Sequence, residues 1–547
     1  MRHHAALLRA RARADTEYFV ESGEFFGRTV SQAYGCSGVK EGDLAWDGAE
    51  GNLDLGDITG FTGSVAVTNV SSVEALRGLT AIGGDLTITG CASLPDLDAL
   101  AALTSLGGTL NLYDNAALAS LDGLFENLVS VGGDLLVHDN AALTELASAS
   151  LAEVGGHVYI GRNGALARVA LSALTEVRGE GRLDSAETPL RAAASWEIKN
   201  GNGIRAGGIL VEGNSNLATL AFTALRSIPS SIYISPWNPE LSSIDFLALV
   251  SIGGDFRMDG TNITELLFPS LESTGRNFEV KYHKKLSRVE LPELVSVVGE
   301  FGLRVCDELV TVYAPVLAMV GGFHVLEAYM IETLSFPSLT TINVTDWERA
   351  RLVFWMQPTD WFYLGYLFRL ATLDFPALTF VSGDFLLSEM PLLTSTEGLP
   401  ALASVGHYNY RNWAGNGIHN GYTALYLSDS GLSLSNISTI LRADVLGPAY
   451  CNIDLWGSCD GVCESLDFCG WWSDVKCSGV YTCFTEDNDD NWNDDYGRTE
   501  YSYSYSYSYS YSYSYSYSYS YSCPCDLKPG GSYSYDSNSG GSYSYDD

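Results

Sequence analysis

The sequence predicts an all-β chain: a right-handed β-helix or leucine-rich-repeat-like solenoid of about 15 coils, with a small disulfide-rich C-terminal cap and a disordered tail. Three observations predict it. A Gly-Gly-centred unit recurs about every 22–25 residues between Ile58 and Val405. Each unit carries a short apolar segment of period 2, as a half-buried strand does. No unit contains a long amphipathic helical pattern with caps, which favours a β-helical coil over a horseshoe with helices. A unit of about 23 residues cannot bury its own apolar face, so successive units must stack on one continuous core.

Residues 1–45 form an N-terminal segment read as a leader or a cap. Met1–Ala14 holds Arg2, Arg9, Arg11 and Arg13 but only Ala5-Ala6-Leu7-Leu8 as an apolar run. A secretory h-region needs about 7–15 apolar residues. The segment reads as a transit-like amphipathic stretch, a disordered tail or an incorrect start, the last favoured because the cysteine usage described below points outward while the leader is missing.

Residues 46–446 form the solenoid. The unit reads Ile82-Gly-Gly-Asp-Leu86-Thr-Ile88, then Leu106-Gly-Gly-Thr-Leu110-Asn-Leu112, Val131-Gly-Gly-Asp-Leu135-Leu-Val137 and Val154-Gly-Gly-His-Val158-Tyr-Ile160. It returns at Ile252-Gly-Gly-Asp-Phe256, Val320-Gly-Gly-Phe323 and Val381-Ser-Gly-Asp-Phe385, with longer intervals around Asp184–Arg205 and Thr345–Phe368 read as insertions. Gly-Gly is expected to supply a corner where positive φ is cheap. Steps such as Leu118/Leu121, Leu143/Leu146 and Leu166/Val169, each followed by a second apolar pair, give about six inward side chains per coil. Asp114-Asn115, Asp139-Asn140, Asn163, Asn214 and Asn262 mark turns, where short polar side chains tolerate αL and bond nearby backbone.

Leu-x-x-Val-Gly-Gly-Asp-Leu-x-Ile-x-x-Asn-x-x-Leu-x-x-Leu resembles the receptor L-domain repeat over roughly residues 55 to 410. Units such as Leu266-Leu-Phe-Pro-Ser-Leu271, Leu334-Ser-Phe-Pro-Ser-Leu339 and Leu373-Asp-Phe-Pro-Ala-Leu378 look closest to the version found in fungal GPI-anchored cell-wall proteins. The resemblance implies a β-helix of the kind that binds ligands in insulin- and EGF-receptor ectodomains. It also implies an extracellular or cell-surface location. The pattern departs from the receptors in having no furin-like module, membrane span or kinase, and from the fungal type in lacking a hydrophobic GPI tail. Receptor signalling therefore does not carry over; extracellular binding or wall building does.

Residues 447–486 form the Cys-rich cap. Eight of the 11 cysteines lie between Cys451 and Cys525. Cys451, Cys459, Cys463, Cys469, Cys477 and Cys483 are disulfide candidates, because exported chains staple small segments in this way. Zinc fits poorly, since no Cys-x-x-Cys pair is present and no His follows His419. Six cysteines permit 15 pairings, and the sequence does not choose among them. Residues 487–547 carry an acidic run and strict Tyr-Ser alternation from Tyr501 to Ser522, read as a low-complexity disordered tail. A sharper reading makes the tail adhesive or cross-linking.

The charge balance, 30 Lys+Arg against 66 Asp+Glu for a net −36, excludes a nucleic-acid surface. No run of about 18 apolar residues predicts a membrane helix. Catalytic signatures are absent: there is no Gly-x-Ser-x-Gly, His-Glu-x-x-His or P-loop. No metal or cofactor is expected. Asp85, Asp134, Asp255 and Asp384, which follow the Gly-Gly corner, read as turn caps, and Asn115, Asn140 and Asn163 as a structural ladder bonding the backbone of the next coil.

The outward positions of the strands are less uniform than a plain solvated face. Tyr113, His138, Tyr159 and Tyr233 offer exposed aromatic planes there, and Arg257, Lys281 and Arg304 add positive charge. Exposed aromatics among polar neighbours suit a protein or carbohydrate ligand, so these seven are the candidate binding residues. The favoured reading is a non-enzymatic recognition or wall protein. The alternatives are a polysaccharide-acting β-helix enzyme, for which Arg257/Asp259/Glu279/Lys281 is the candidate patch, and a structural adhesive built on the tail.

Overall fold

The computed structural model describes residues 38–50, 53–179, 208–343, 362–383 and 385–405, with Leu432 and the short strands Phe25–Phe26, Asn409–Arg411, Ile418–Asn420, Ala424–Ser430, Ala449–Leu455, Cys469–Cys477 and Val480–Tyr481. The described chain is an all-β parallel solenoid of about 14 turns with almost no helix. Each turn sets a two-residue strand, such as Ser105–Leu106, before a longer one, such as Leu110–Tyr113. Both pair in register with their equivalents one coil on: Ser105 with Ser130, Leu110 with Leu135, Leu135 with Val158. The opposite wall pairs the same way, Glu145–Ser148 with Arg168–Leu171 and that strand with Thr219–Ala221. The first coils instead use 3-10 turns at Glu74–Leu76 and Asp98–Leu100 and the six-residue helix Asp122–Asn127. Parallel pairing continues into the Cys-rich segment, where Ala424–Ser430 pairs with Ala449–Leu455 and that strand with Cys469–Cys477.

The apolar steps read from the sequence all point inward; Leu118, Leu121, Leu143, Leu146, Leu166 and Val169 are buried. Toward the C-terminal coils the first inward position of the longer strand becomes phenylalanine. Phe256, Phe278, Phe301, Phe323, Phe362 and Phe385 then stack face to face with centroids 4.6–5.7 Å apart. Coil spacing in a parallel sheet, about 4.8 Å, is close to the offset-stacking distance of aromatic rings, so identical residues in register reinforce one another.

The Gly-Gly corner works differently from the expectation. None of Gly83, Gly107, Gly132 and Gly155 has positive φ. A Cβ on Gly107, Gly132 or Gly155 would instead overlap the carbonyl oxygen of the equivalent glycine one coil earlier. Glycine is required there because backbones of adjacent coils approach too closely for any side chain. Positive φ falls at the other corner, just after the longer strand: Asp114 (58°), Asp139 (57°), Arg162 (54°), Tyr282 (62°) and Val305 (55°).

Two side-chain ladders stitch the coils together. Inside, Asn115, Asn140, Asn163, Asn214 and Asn238 are fully buried. Each Oδ1 accepts the backbone N–H of its counterpart one coil earlier, as Asn163 does from Asn140 (3.0 Å), and each Nδ2 donates to an earlier carbonyl, as Asn163 does to Val137 (2.9 Å). The turn signal at Asn262 is one residue out of step, since the buried ladder place belongs to Thr261. His283 follows it, with Nε2 against the Met258 carbonyl at 3.1 Å and Nδ1 facing the Thr261 hydroxyl at 3.2 Å. Burial pushes the His283 imidazole down to about 4, so it stands there neutral, as an amide does. Cys91 and Cys306 hold equivalent places as buried free thiols.

Outside, the residues after the Gly-Gly corner cap the next coil. Asp85 Oδ1 accepts from Thr109 N (2.7 Å), Thr109 Oγ1 from Asp134 N (3.2 Å), and Asp134 Oδ1 from His157 N (2.8 Å). Asp255 and Asn277 continue the pattern toward Asn277 N and Glu300 N. Turn capping is thus the role of Asp85, Asp134 and Asp255, while Asp384 lies outside the described residues. So do Cys459, Cys463 and Cys483, the side chains of Cys451, Cys469 and Cys477, and the 487–547 tail.

Candidate functional site

The outward side chains of the longer strands form two adjoining columns. One runs Asn111, Leu136, Tyr159, Leu210, Tyr233, Arg257, Glu279, Gly302, His324 and Tyr363; the other holds Tyr113, His138, Gly161, Glu212, and then Asp259, Lys281, Arg304, Leu326 and Gly365. All seven candidate residues therefore lie on one face. Their exposure differs from the expectation. His138, Tyr159, Tyr233 and Lys281 are buried, and only Tyr113, Arg257 and Arg304 keep partial access to solvent. With coils about 4.8 Å apart, rings stack on the next coil's ring and charges bridge to the next coil's charge, so the face shields itself.

Its N-terminal part is an aromatic and ionic knot. Tyr113 stacks on His138 at 5.1 Å and 12°, and His138 leans on Tyr159 at 5.5 Å. Arg162 binds Asp139 through two nitrogens, Nε at 2.9 Å and Nη2 at 2.6 Å, and donates to the Tyr159 hydroxyl at 2.6 Å. The Tyr159 hydroxyl donates to Glu212 at 2.7 Å. A Cβ at Gly161 would collide with the Tyr159 phenol, so this glycine gives the ring its room. Burial pushes the His138 imidazole below its ordinary value, overriding the pull of Asp139. Burial and the Glu212 carboxylate raise the Tyr159 phenol, which stays neutral.

The C-terminal part is a charge cluster on three successive coils and the one after. Arg257 Nε donates to Asp259 at 2.9 Å and Lys281 Nζ to Glu279 at 2.7 Å. Arg257 also lies 5.5 Å from the Tyr233 ring centre, a cation–π contact. Arg304 donates to Glu300, whose carboxylate stands 3.0 Å from His324 Nδ1. The proposed enzyme patch Arg257/Asp259/Glu279/Lys281 is thus brought together, but as two ion pairs. Glu300 and His324 complete the cluster, and sequence reading passed over them as binding groups. Glu300 belongs to the capping column, and only the neighbouring glycine frees it. A Cβ at Gly302 would overlap its carboxylate, so Gly302 makes the hollow into which Glu300 folds.

Burial would raise the Glu300 carboxyl, but His324, Arg304 and Lys281 together hold it down to about 2. For Asp259 burial wins over Arg257 and Lys281, and the carboxyl lies above its usual range. Because the Glu300 value falls below the 4.5 of a free glutamate, its contribution to stability is complete above about pH 4.5 and disappears as pH drops toward 2. Melting temperature followed from pH 5 to pH 2 should fall less steeply in Glu300→Gln than in the parent chain; parallel curves would refute the assignment.

Three polar atoms in this cluster are buried without a partner: Asp259 Oδ1, Arg304 Nε and His324 Nε2. Buried polar atoms are ordinarily bonded, so three orphans within one cluster mark it as incompletely satisfied. Among the described residues no group of three or more His, Cys, Asp or Glu could hold a metal ion, and no helix is long and apolar enough to cross a membrane.

No family model and no curated protein matches the chain. Among solved structures, a leucine-rich repeat protein from Bacteroides ovatus is similar at 10% identity and a TM-score of 0.26, over 77% of this chain and 84% of that one. So weak a likeness adds nothing to the solenoid already evident from the strand pairing.

Proposed function

We propose that this chain is a non-enzymatic recognition protein of the receptor-L-domain kind, acting outside the cell or at its surface. It binds a protein or glycan ligand on the outward face of the solenoid. The partial exposure of Arg304 and Tyr363 on this face carries this reading, beside the unpaired buried atoms of Asp259, Arg304 and His324. A face serving only to hold coils together gains nothing from unpaired buried donors and acceptors, each of which costs about 1–3 kcal/mol. The half-buried side chains of Arg304 and Tyr363 are where a ligand enters, with Tyr363 edge-on to His324 at 6.2 Å. The ion pairs Arg257–Asp259 and Lys281–Glu279 position the site rather than perform chemistry.

Arrays of cell-surface proteins and glycans test the reading directly. Binding to a hit should weaken at least about tenfold, 1.4 kcal/mol, in Tyr363→Ala and in His324→Gln. The melting temperature of Tyr363→Ala should stay unchanged, and no hit polysaccharide should release reducing ends. Equal binding by parent and both variants would exclude this face.

A further inference from the structure

We propose that the ligand of this face is an uncharged carbohydrate chain, seated from His324 and Tyr363 across to the ring cluster at the adjoining corner. This rests on the recognition reading above and names its ligand class. Three features of the surface select it.

The first is charge. The three cations of the cluster are matched one to one: Arg257 with Asp259, Lys281 with Glu279, Arg304 with Glu300. What the face leaves partly open, the outer edges of Arg257 and Arg304 and the Tyr363 ring, therefore carries no unmatched charge. A phosphate, sulfate or carboxylate ligand would meet carboxylates already in place and, beyond them, a chain of net charge −36. A sugar hydroxyl is uncharged, both donates and accepts, and can bond the outer edges of such paired groups.

The second is the ring cluster. Where the chain turns after strands Met319–Leu326 and Phe362–Gly365, Tyr329 and Phe368 stack at 5.6 Å and 10°. Tyr366 stands edge-on to Phe368 at 6.5 Å. Phe368 and Tyr366 are 44% and 42% exposed, and Met330 beside them is 36% exposed. Flat exposed rings beside hydrogen-bonding groups suit the apolar C–H faces of sugar rings.

The third is continuity. Gly365 occupies the column position between Leu326 and Ser388, and a Cβ there would press on the Tyr363 ring and the Ser388 hydroxyl at 3.0 Å. No side chain stands at that place, three residues along one strand and its turn, between Tyr363 and Tyr366. Tyr363 and the ring cluster are thus joined along one strand and its turn.

The full chain is titrated calorimetrically with neutral β-glucan and mannan oligosaccharides and, in parallel, with polygalacturonate. Binding to a neutral glycan is expected, little changed by added salt, and weakened at least about tenfold in Phe368→Ala with an unchanged melt. Failure to bind any neutral glycan, or full binding by Phe368→Ala, overturns the proposal. A salt-sensitive polygalacturonate complex, or a protein hit, that is lost in His324→Gln overturns the uncharged-carbohydrate class while leaving the face as the recognition site. A neutral-glycan complex indifferent to His324→Gln, Tyr363→Ala and Phe368→Ala alike overturns both readings.

Discussion

Phe323→Ala is expected to destabilise the solenoid by on the order of 3–5 kcal/mol, the cost of removing a large aromatic from a packed core. Phe323 stacks between Phe301 and Phe362 at 5.5 Å on each side and meets Phe336 and Phe375 edge-on at 4.9 and 5.6 Å. The substitution interrupts a continuous ring column, so coils on both sides lose a partner. Because each coil is stabilised chiefly by its neighbours, the effect should be greatest locally. Amide exchange should accelerate most in strands Ser296–Arg304, Met319–Leu326 and Phe362–Gly365, with a smaller change in the coils around Leu110–Tyr113. A uniform change along the solenoid, or a loss below about 1.5 kcal/mol in urea unfolding, would contradict this account of the column.

Asn163→Ala should rank next, at about 3 kcal/mol, since it leaves several buried groups without partners at once. Its Oδ1 accepts from Asn140 N (3.0 Å) and Asn140 Nδ2 (3.3 Å), and its Nδ2 donates to the Val137 carbonyl (2.9 Å) and Asn214 Oδ1 (3.2 Å). The exposed Asn127, whose Nδ2 donates to the Ala101 carbonyl at 2.9 Å, is the control. Its replacement by alanine should cost well under about 1 kcal/mol, because water takes over the bond. Similar losses for the two variants, measured by chemical denaturation, would show that the interior ladder contributes no more than a surface bond. The chain itself makes conservative exchanges along this ladder. Thr261, His283 and Cys306 replace asparagine where the neighbouring core turns to phenylalanine, and His283 keeps both polar ends satisfied.

Much of the architecture was legible before any coordinates. Leucine steps at fixed offsets and the Asp-Asn turns place the core, the strands and the ladder, since side chains in a parallel stack must repeat in register. The Gly-Gly signal was recognised but its cause was misassigned. Glycine is enriched both where φ is positive and where backbones nearly touch, and one sequence does not separate the two. The seven candidate residues were correctly set on one face because strand alternation fixes direction. Burial on that face was not legible, since it depends on what each side chain meets one coil away. His138 shows this: its ring is closed in by Tyr113 and Tyr159 from the two neighbouring coils and by Asp139 at its own corner.

The C-terminal cluster marks the boundary most sharply. By itself the sequence determined the repeat, the inward and outward alternation, and therefore which residues share a column, because these follow from local periodicity. Only the tertiary structure decided that Glu300 leaves the capping column for the hollow over Gly302, that His324 meets it, and that three polar atoms stay unpaired. Those outcomes rest on contacts between coils, such as Glu300 with His324, set by coil spacing and by where Gly302 leaves room.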